Sequence, residues 1–317
     1  MYQRYLTKIA FAVVVVVVTV ATSPAADDFG KGSINWMDGY IEAVGYGSAQ
    51  PTGNKGKDRI NARRAAEVTA QRTLLETIKG VKIDSMTTVE NSMLTEDVIK
   101  TRVDGIVKGA QTIEERVEWE GNSPVFMVKM RICMNGGIAE CKGTPLVNAL
   151  NLEKRDDPPS VPKTRLITIV TVKQEHLPPV AKPPSDTPPP TGTSRPFVCD
   201  LTKPVTGIVL TLEGRYFERS LLPVVVTRMN DEMVTVYSAK IVKPSVIRTF
   251  GAVRYAETVD NATKISHLGG NVLVVPVADI TKDNLILISS QDAATIKETL
   301  AHGNNYLEDA KVVISGR

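Results

Sequence analysis

Cysteines are the residues whose type and spacing most directly suggest chemistry in this sequence. Cys133 and Cys141 flank a short loop that contains glycine, so a disulfide between them is plausible and would leave Cys199 as a free or intermolecular thiol. The alternative is that all three are small buried hydrophobic side chains. Their spacings lack the C-x-x-C pairs and the histidine partners of zinc sites, so we predict no metal site.

A serine hydrolase site is a second possibility that the residue types raise. Ser290, Asp292 and His302 could supply a nucleophile, an acid that orients the base, and the base itself. No G-x-S-x-G sequence is present. The same residues also suit a helix, with Ser290 as its N-cap, Asp292 near its positive end and His302 near its other end. The second interpretation is favoured, and we predict no catalytic residue.

Two further patterns could indicate ligands. Gly45-x-Gly47 precedes a predicted helix, but neither a GxGxxG motif nor a P-loop is completed, which favours strand glycines over a phosphate site. The acidic cluster at residues 114–120 could suggest a calcium or glycosidase site. Alternate positions of a strand face one side, so we expect Glu118 and Glu120 to line a solvated face. We predict no cofactor.

The charge balance argues against a nucleic-acid partner. The formal net charge is +3, and the first 25 residues hold two basic side chains and no acidic one. Arginines on the first predicted helix could contact anionic lipid or glycan, but Asp58, Glu67 and Glu76 interrupt them, which favours a solvated face. Aromatic residues make up only 5% of the chain, and Trp36 and Trp119 are too scattered for a carbohydrate platform.

The first 25 residues have the layout of a secretory signal peptide. Arg4 and Lys8 precede an apolar run at residues 9–21, and the small residues of Ser23-Pro24-Ala25 follow it. The run is shorter than the ~20 residues of a bilayer-spanning helix. No cysteine lies near the cut to carry a lipid. We therefore predict a soluble, non-lipidated periplasmic protein that begins near Ala26 and has no transmembrane segment after signal removal.

Proline content predicts the division of the mature chain. Residues 156–196 contain eleven prolines, which favours an extended, solvated linker. Residues 166–172 inside it are β-branched and free of proline, so we predict a strand there. The sequence thus predicts a signal peptide at residues 1–25, a first domain at 28–151, a linker at 156–196 and a second domain at 197–317.

Hydrophobic periodicity predicts an α+β fold for the first domain. Strands are expected at residues 40–47, 81–89, 111–120 and 125–134. Helices are expected at residues 57–79, with alanines every four positions, and at 96–108, with Thr95 as N-cap. The small alanines would let the first helix lie close on a sheet. Each of the two domains is predicted to be a mixed sheet with helices packed on one face.

The second domain shows the same classes of signal. Strands are expected at residues 207–212, 223–228, 233–237, 271–277, 284–288 and 310–314, with a turn at Asn230-Asp231. A helix is expected at residues 291–301. The last three elements suggest a β-α-β unit whose two strands pair in parallel.

A family resemblance emerges from small and apolar residues of the first domain. They are Gly45-x-Gly47, Arg64-Ala65-Ala66, Leu74-Leu75-Glu76, Gly80-Val81, Val103-Asp104-Gly105 and Gly109-Ala110. Over residues 40–134 the pattern resembles the twenty-kilodalton outer-membrane lipoprotein family and the related N-terminal domain of flagellar assembly protein T. The resemblance implies an outer-membrane-associated cell-envelope protein without known catalysis. This chain departs from the family in lacking the lipidated cysteine and in its second domain.

These observations predict a non-enzymatic periplasmic scaffold or assembly factor with an envelope protein partner, able to form a homo-oligomer. The alternative is a ligand- or glycan-binding module whose second domain holds the ligand. A concave pocket would favour the module. A broad apolar patch or an exposed sheet edge would favour the scaffold.

Overall fold

The computed structural model describes residues 31–166, 199–301 and 305–316. The predicted signal peptide, most of the predicted strand at residues 166–172 and most of the proline-rich segment lie outside these ranges, as does His302. Among the described residues, no helix combines the length and the apolar character needed to cross a bilayer.

Within residues 31–166, the first domain forms four strands and four α-helices. The strands are β1 (Gly32–Asn35), β2 (Tyr40–Ser48), β3 (Gln111–Glu120) and β4 (Ser123–Cys133). The helices are α1 (Lys55–Lys79), α2 (Val89–Thr95), α3 (Asp97–Lys108) and α4 (Leu146–Ala149). The strands form one antiparallel sheet in the order β1-β2-β4-β3, with α1 packed on its two central strands.

Close packing of α1 on β2 explains the Gly-x-Gly and alanine patterns. A Cβ atom at Gly45 would lie 2.2 Å from the carbonyl oxygen of Ala66, and one at Gly47 would lie 2.2 Å from the Ala66 amide nitrogen. Ala62, Ala66 and Ala70 are fully buried against this sheet. Glycine is therefore required where the helix backbone approaches the strand. The predicted contact between an alanine-rich helix and the sheet is confirmed.

The second domain contains the remaining elements. Its strands are β5 (Gly207–Thr211), β6 (Val225–Met229), β7 (Glu232–Tyr237), β8 (Arg254–Ala256), β9 (Val272–Ile280), β10 (Ile286–Ile288) and β11 (Val312–Ser315). Its helices are α5 (Pro244–Phe250), α6 (Val259–Thr263) and α7 (Ser290–Ala301). The strands form a mixed sheet in the order β7-β6-β10-β9-β5-β11-β8.

The predicted α+β class with two domains is confirmed, and the two sheets differ in detail. The first is antiparallel throughout, whereas the second is mixed. Both faces of the second sheet are covered. Ile208 and Leu210 share a cluster with Ile296 of α7, while Val209 packs with Ala262 of α6. Successive residues of a strand point to opposite faces, so the two helices lie on opposite sides.

Three local predictions are wrong. Residues 81–88 form a turn, and Val89 already begins α2, so the predicted strand at 81–89 is absent; Asp84 stabilises the turn by accepting hydrogen bonds from the amides of Met86 and Thr87. Thr95 belongs to α2, and α3 begins after Glu96. Strands β10 and β11 do not pair, since β9 and β5 lie between them.

The two domains share one hydrophobic core. A single cluster of buried side chains runs from Ile41 in the first sheet to Ile208 in the second. The amides of Leu221 and Leu222 donate to the carbonyls of Lys82 and Ile83 at 3.0 and 2.7 Å. The turn that replaces the predicted strand is therefore part of the contact between the domains.

The described start of the proline-rich segment also packs on the second domain. The Thr235 amide donates to the Thr164 carbonyl at 2.9 Å, and the Thr235 hydroxyl donates to the Pro162 carbonyl at 2.7 Å. Val161 is buried against Val226 of β6. Residues 157–166 thus cover the β7 edge of the sheet, while the domain boundaries set by composition stay predictions.

Candidate functional site

The face of the first sheet opposite α1 carries no packed helix among the described residues. Along β4, the side chains that face α1 are buried, whereas Val125, Met127, Lys129 and Arg131 on the other face are only partly buried. We call the surface formed by these four residues and by Tyr40, Glu42, Val44 and Tyr46 of β2 the helix-free face. It is a mixed apolar and charged surface.

An ion cluster lies toward the Tyr40 and Arg131 end of the helix-free face. Glu42 is 6% exposed and accepts from Arg131 Nε at 2.8 Å and from Lys129 Nζ at 2.7 Å. The Arg131 guanidinium also lies 3.9 Å from the centre of the Tyr40 ring. One buried carboxylate shared by two cations holds the side chains of β2 and β4 in fixed positions.

The long strand β3 is an edge of the first sheet. It pairs with β4 on one side and with no other described strand. Glu118 and Glu120 are exposed, as the strand pattern predicts. Glu115 accepts from Arg63 Nε at 3.0 Å, and this hydrogen bond lowers the pKa of the Glu115 carboxyl. The acidic cluster is therefore part of a charged edge, a common means of discouraging uncontrolled strand pairing.

A basic cleft adjoins the helix-free face at its Arg131 end. It encloses about 500 Å³ between α3, the end of β4 and the segment that follows the cysteines. Arg102, Arg131 and Lys142 line it, together with Gly105 and Asn148. Hydrophobic periodicity could not indicate this cleft, because its cations come from three separate segments that meet only in the folded chain.

The cysteines occupy two different settings. The structure joins Cys133 and Cys141 in a disulfide with their Cα atoms 5.9 Å apart, which is the pairing considered from the sequence. Cys199 is a free, partly buried thiol whose Sγ lies 3.4 Å from Asn271 Oδ1. Burial, with a smaller contribution from the charge of Asp200, raises the pKa of the Cys199 thiol. The reactive thiolate is correspondingly scarce at neutral pH.

Two of the three residues considered for a serine hydrolase site, Ser290 and Asp292, lie in the first turn of α7. Ser289, rather than Ser290, caps α7, since its Oγ accepts from the Asp292 amide at 3.0 Å and donates to Asp292 Oδ2 at 2.6 Å. The predicted cap is therefore one residue too late. Asp292 is engaged in the helix cap, and His302 lies outside the described residues.

The exposed arginines of α1, and His267, lie away from the cleft. Arg59, Arg64 and Arg72 lie on the solvent side of α1. His267 stacks on Phe250 with ring centres 4.7 Å apart, and its Nε2 lies 2.9 Å from the Asp309 carbonyl oxygen. Burial is the main cause of the lowered pKa of His267.

Residues 207–315 match the family described as the second domain of Treponema pallidum Tp0624. The second domain of this chain is similar to that domain. The matched residues run from the start of β5 to the end of β11 and thus span the whole second sheet. No curated protein matches the chain. The similarity to the Tp0624 domain does not extend to residues 40–134, where the lipoprotein and flagellar resemblance stays a prediction.

Proposed function

We propose that this protein is a non-enzymatic scaffold or assembly factor of the periplasmic cell envelope, and that it binds an envelope protein through the helix-free face. The observation that supports this proposal is the side of the first sheet that no described helix covers. Met127, Val44 and Tyr46 keep apolar surface partly accessible there, around the fixed charges of Glu42 and Arg131. Apolar contacts bordered by charged groups are typical of protein interfaces.

The resemblance of residues 40–134 to the outer-membrane lipoprotein family and to flagellar assembly protein T supports an envelope role. We propose a flagellar-protein-like first domain, joined to a second domain that is similar to the Treponema pallidum Tp0624 domain. The shared core of the two domains suits a scaffold, because a rigid body holds its partner in a defined orientation.

Site-specific cross-linking tests the scaffold. A photo-reactive amino acid replaces Met127 on the helix-free face or, as a matched control, Val68 on the outer side of α1, which is 54% exposed. We expect a discrete cross-linked envelope protein from position 127 and not from position 68. Met127→Glu should lower recovery of the same protein from a complex isolated without cross-linking. Equal or absent cross-links at both positions contradict the proposal.

The periplasmic address has its own test. We expect osmotic shock to release a chain whose N-terminus lies at or within a few residues of Ala26. Full-length protein in the cytoplasm, or lipid on the mature N-terminus, contradicts this address.

The second candidate function is that of a ligand- or glycan-binding module. The observation that favours it is the basic cleft, whose volume of about 500 Å³ falls within the range of small-molecule sites. This cleft lies in the first domain, whereas the sequence predicts a ligand site in the second.

A further inference from the structure

The walls of the basic cleft carry one sign of charge. Arg102, Arg131 and Lys142 are its ionisable lining residues, and no carboxylate is among the described residues that line it. Glu42 partly neutralises Arg131, but Glu42 is shared with Lys129, so these three groups together keep one positive charge. The group around Arg131 is therefore positive overall, and the positive charges of Arg102 and Lys142 add to it.

The other two cations have no carboxylate partner among the described residues. Arg102 donates from Nη1 to the neutral side-chain oxygen of Asn151. Lys142 forms no ion pair within the described ranges, although its backbone amide donates to Gln111 Oε1 at 3.0 Å. By contrast, Arg63 of α1 forms ion pairs with both Glu67 and Glu115. The cleft thus concentrates uncompensated positive charge.

The fold holds the Arg131 side chain and the backbone that carries Lys142 in place. The Arg131 side chain is fixed by Glu42 and by the ring of Tyr40. Lys142 directly follows Cys141, whose disulfide to Cys133 ties this segment to the end of β4. A ligand that meets pre-positioned cations loses less conformational entropy on binding than one that must order them.

Gly105 keeps one wall of the cleft open. It lies in the interior of α3, where glycine is less favourable than alanine. A Cβ atom there would meet nothing within 4 Å, so no packing contact requires glycine. A large side chain at this position would project from the wall of the cleft.

We propose that this cleft binds a small ligand that carries carboxylate or phosphate groups. Guanidinium groups bind both kinds of oxyanion through paired hydrogen bonds, and an ammonium group adds a point charge. The site specifies the ligand class of the second candidate function, on which it rests, and it does not depend on the scaffold role or on the cross-linking result at Met127.

Calorimetry on the full mature chain tests the site with two probes, citrate for carboxylates and pyrophosphate for phosphates, at constant ionic strength. We expect saturable binding of at least one probe, and the probe that binds identifies the oxyanion. Arg102→Gln with Lys142→Gln should weaken binding at least about tenfold. The matched control, Lys57→Gln with Arg64→Gln, removes two exposed cations of α1 and should leave the affinity within about twofold.

A second variant separates a shaped site from a diffuse charge effect. Gly105→Phe adds bulk without changing charge, and it should abolish binding while circular dichroism stays native. Binding of neither probe below about 1 mM, or equal weakening by the two double variants, overturns the proposal. If neither probe binds but position 127 gives a specific cross-link, the cleft proposal fails and the scaffold proposal stands. If a probe binds but position 127 gives no specific cross-link, the scaffold proposal fails and the cleft proposal stands.

Discussion

Two of the three cysteines form a disulfide in the folded chain, and the third is a free thiol. Cys133 ends β4, and the segment after it returns so that Cys141 lies within bonding reach. Cys199 lies beside Asn271 at the start of the second domain. The disulfide constrains the segment that carries Lys142, so it links redox state to the geometry of the basic cleft.

Alkylation before reduction should therefore label Cys199 alone in the denatured oxidised protein. Intact-mass measurement followed by peptide mapping identifies the labelled position. The Cys133→Ser, Cys141→Ser variant should lose about 2–3 kcal/mol of unfolding free energy because a closed loop is released. Three thiols labelled in unreduced protein would contradict the disulfide.

His267 should make stability depend on pH in the mildly acidic range. Its folded-state pKa is lowered, chiefly by burial, from the ordinary 6.5, so the unfolded chain binds this proton more readily. Stability from this residue is present above pH 6.5 and is lost as the pH falls from there through the lowered folded-state pKa. As the pH is lowered through that range, we expect the midpoint of thermal unfolding to decrease for the native protein. The decrease should be smaller for His267→Asn. Parallel pH profiles for the two proteins would exclude this role.

At the scale of secondary-structure elements, the close packing of α1 on β2 depends on the smallest residues of each. Alanine side chains on the helix meet glycine positions on the strand, so the two backbones come closer than larger side chains would permit. The turn at residues 81–88 is the other decisive element, because its carbonyl groups accept hydrogen bonds from the second domain.

Two glycine-to-alanine substitutions should have opposite effects. Gly45→Ala places a methyl group against the backbone of Ala66 and Ala70 and should cost about 1–3 kcal/mol by overpacking. Gly105→Ala meets open space on α3 and should stabilise the protein by about 1 kcal/mol through helix propensity. Chemical denaturation of both variants measures these differences. A destabilising Gly105→Ala would show that this position has a packing role.

The described parts of the two domains pack against each other across one shared interface. Trp36 of the first domain meets Tyr255 of the second edge to face, with ring centres 5.4 Å apart. Glu153, in the segment that follows the first domain, forms an ion pair with Arg248 of α5. These contacts accompany the shared hydrophobic core, so separation of the domains would expose apolar surface to water.

Limited proteolysis should cut within residues 167–198, because the proline-rich composition favours a solvated chain and residues 157–166 are packed on β7. The two fragments should stay associated in gel filtration under native conditions. Trp36→Ala with Ile83→Ala should promote their separation by removing buried contacts between the domains. Fragments of the native sequence that separate at once would show that the interface is weak. A chain that resists cleavage throughout would show that the proline-rich segment is packed.

Local sequence signals were sufficient for many elements of this protein. The alanine repeat of α1, the alternation of β4 and the Asn230-Asp231 turn each depend on side chains near one another in sequence, and each is present in the structure. The class of two α+β domains follows from such patterns. The short elements α5, β8 and α6 were missed because their apolar stretches are too brief to show a period.

Tertiary structure alone decided the arrangement of the sheets, the domain contact and the basic cleft. Strand order in the second sheet depends on pairings between residues far apart in the chain, as between Val313 and Arg254, and such pairings leave no local pattern. Residues 81–88 carry the hydrophobic alternation of a strand, but the hydrogen bonds of Asp84 and the contact with Leu221 favour a turn. Arg102, Arg131 and Lys142 form one site because α3, β4 and the disulfide-bonded segment converge, and this convergence is a property of the folded chain.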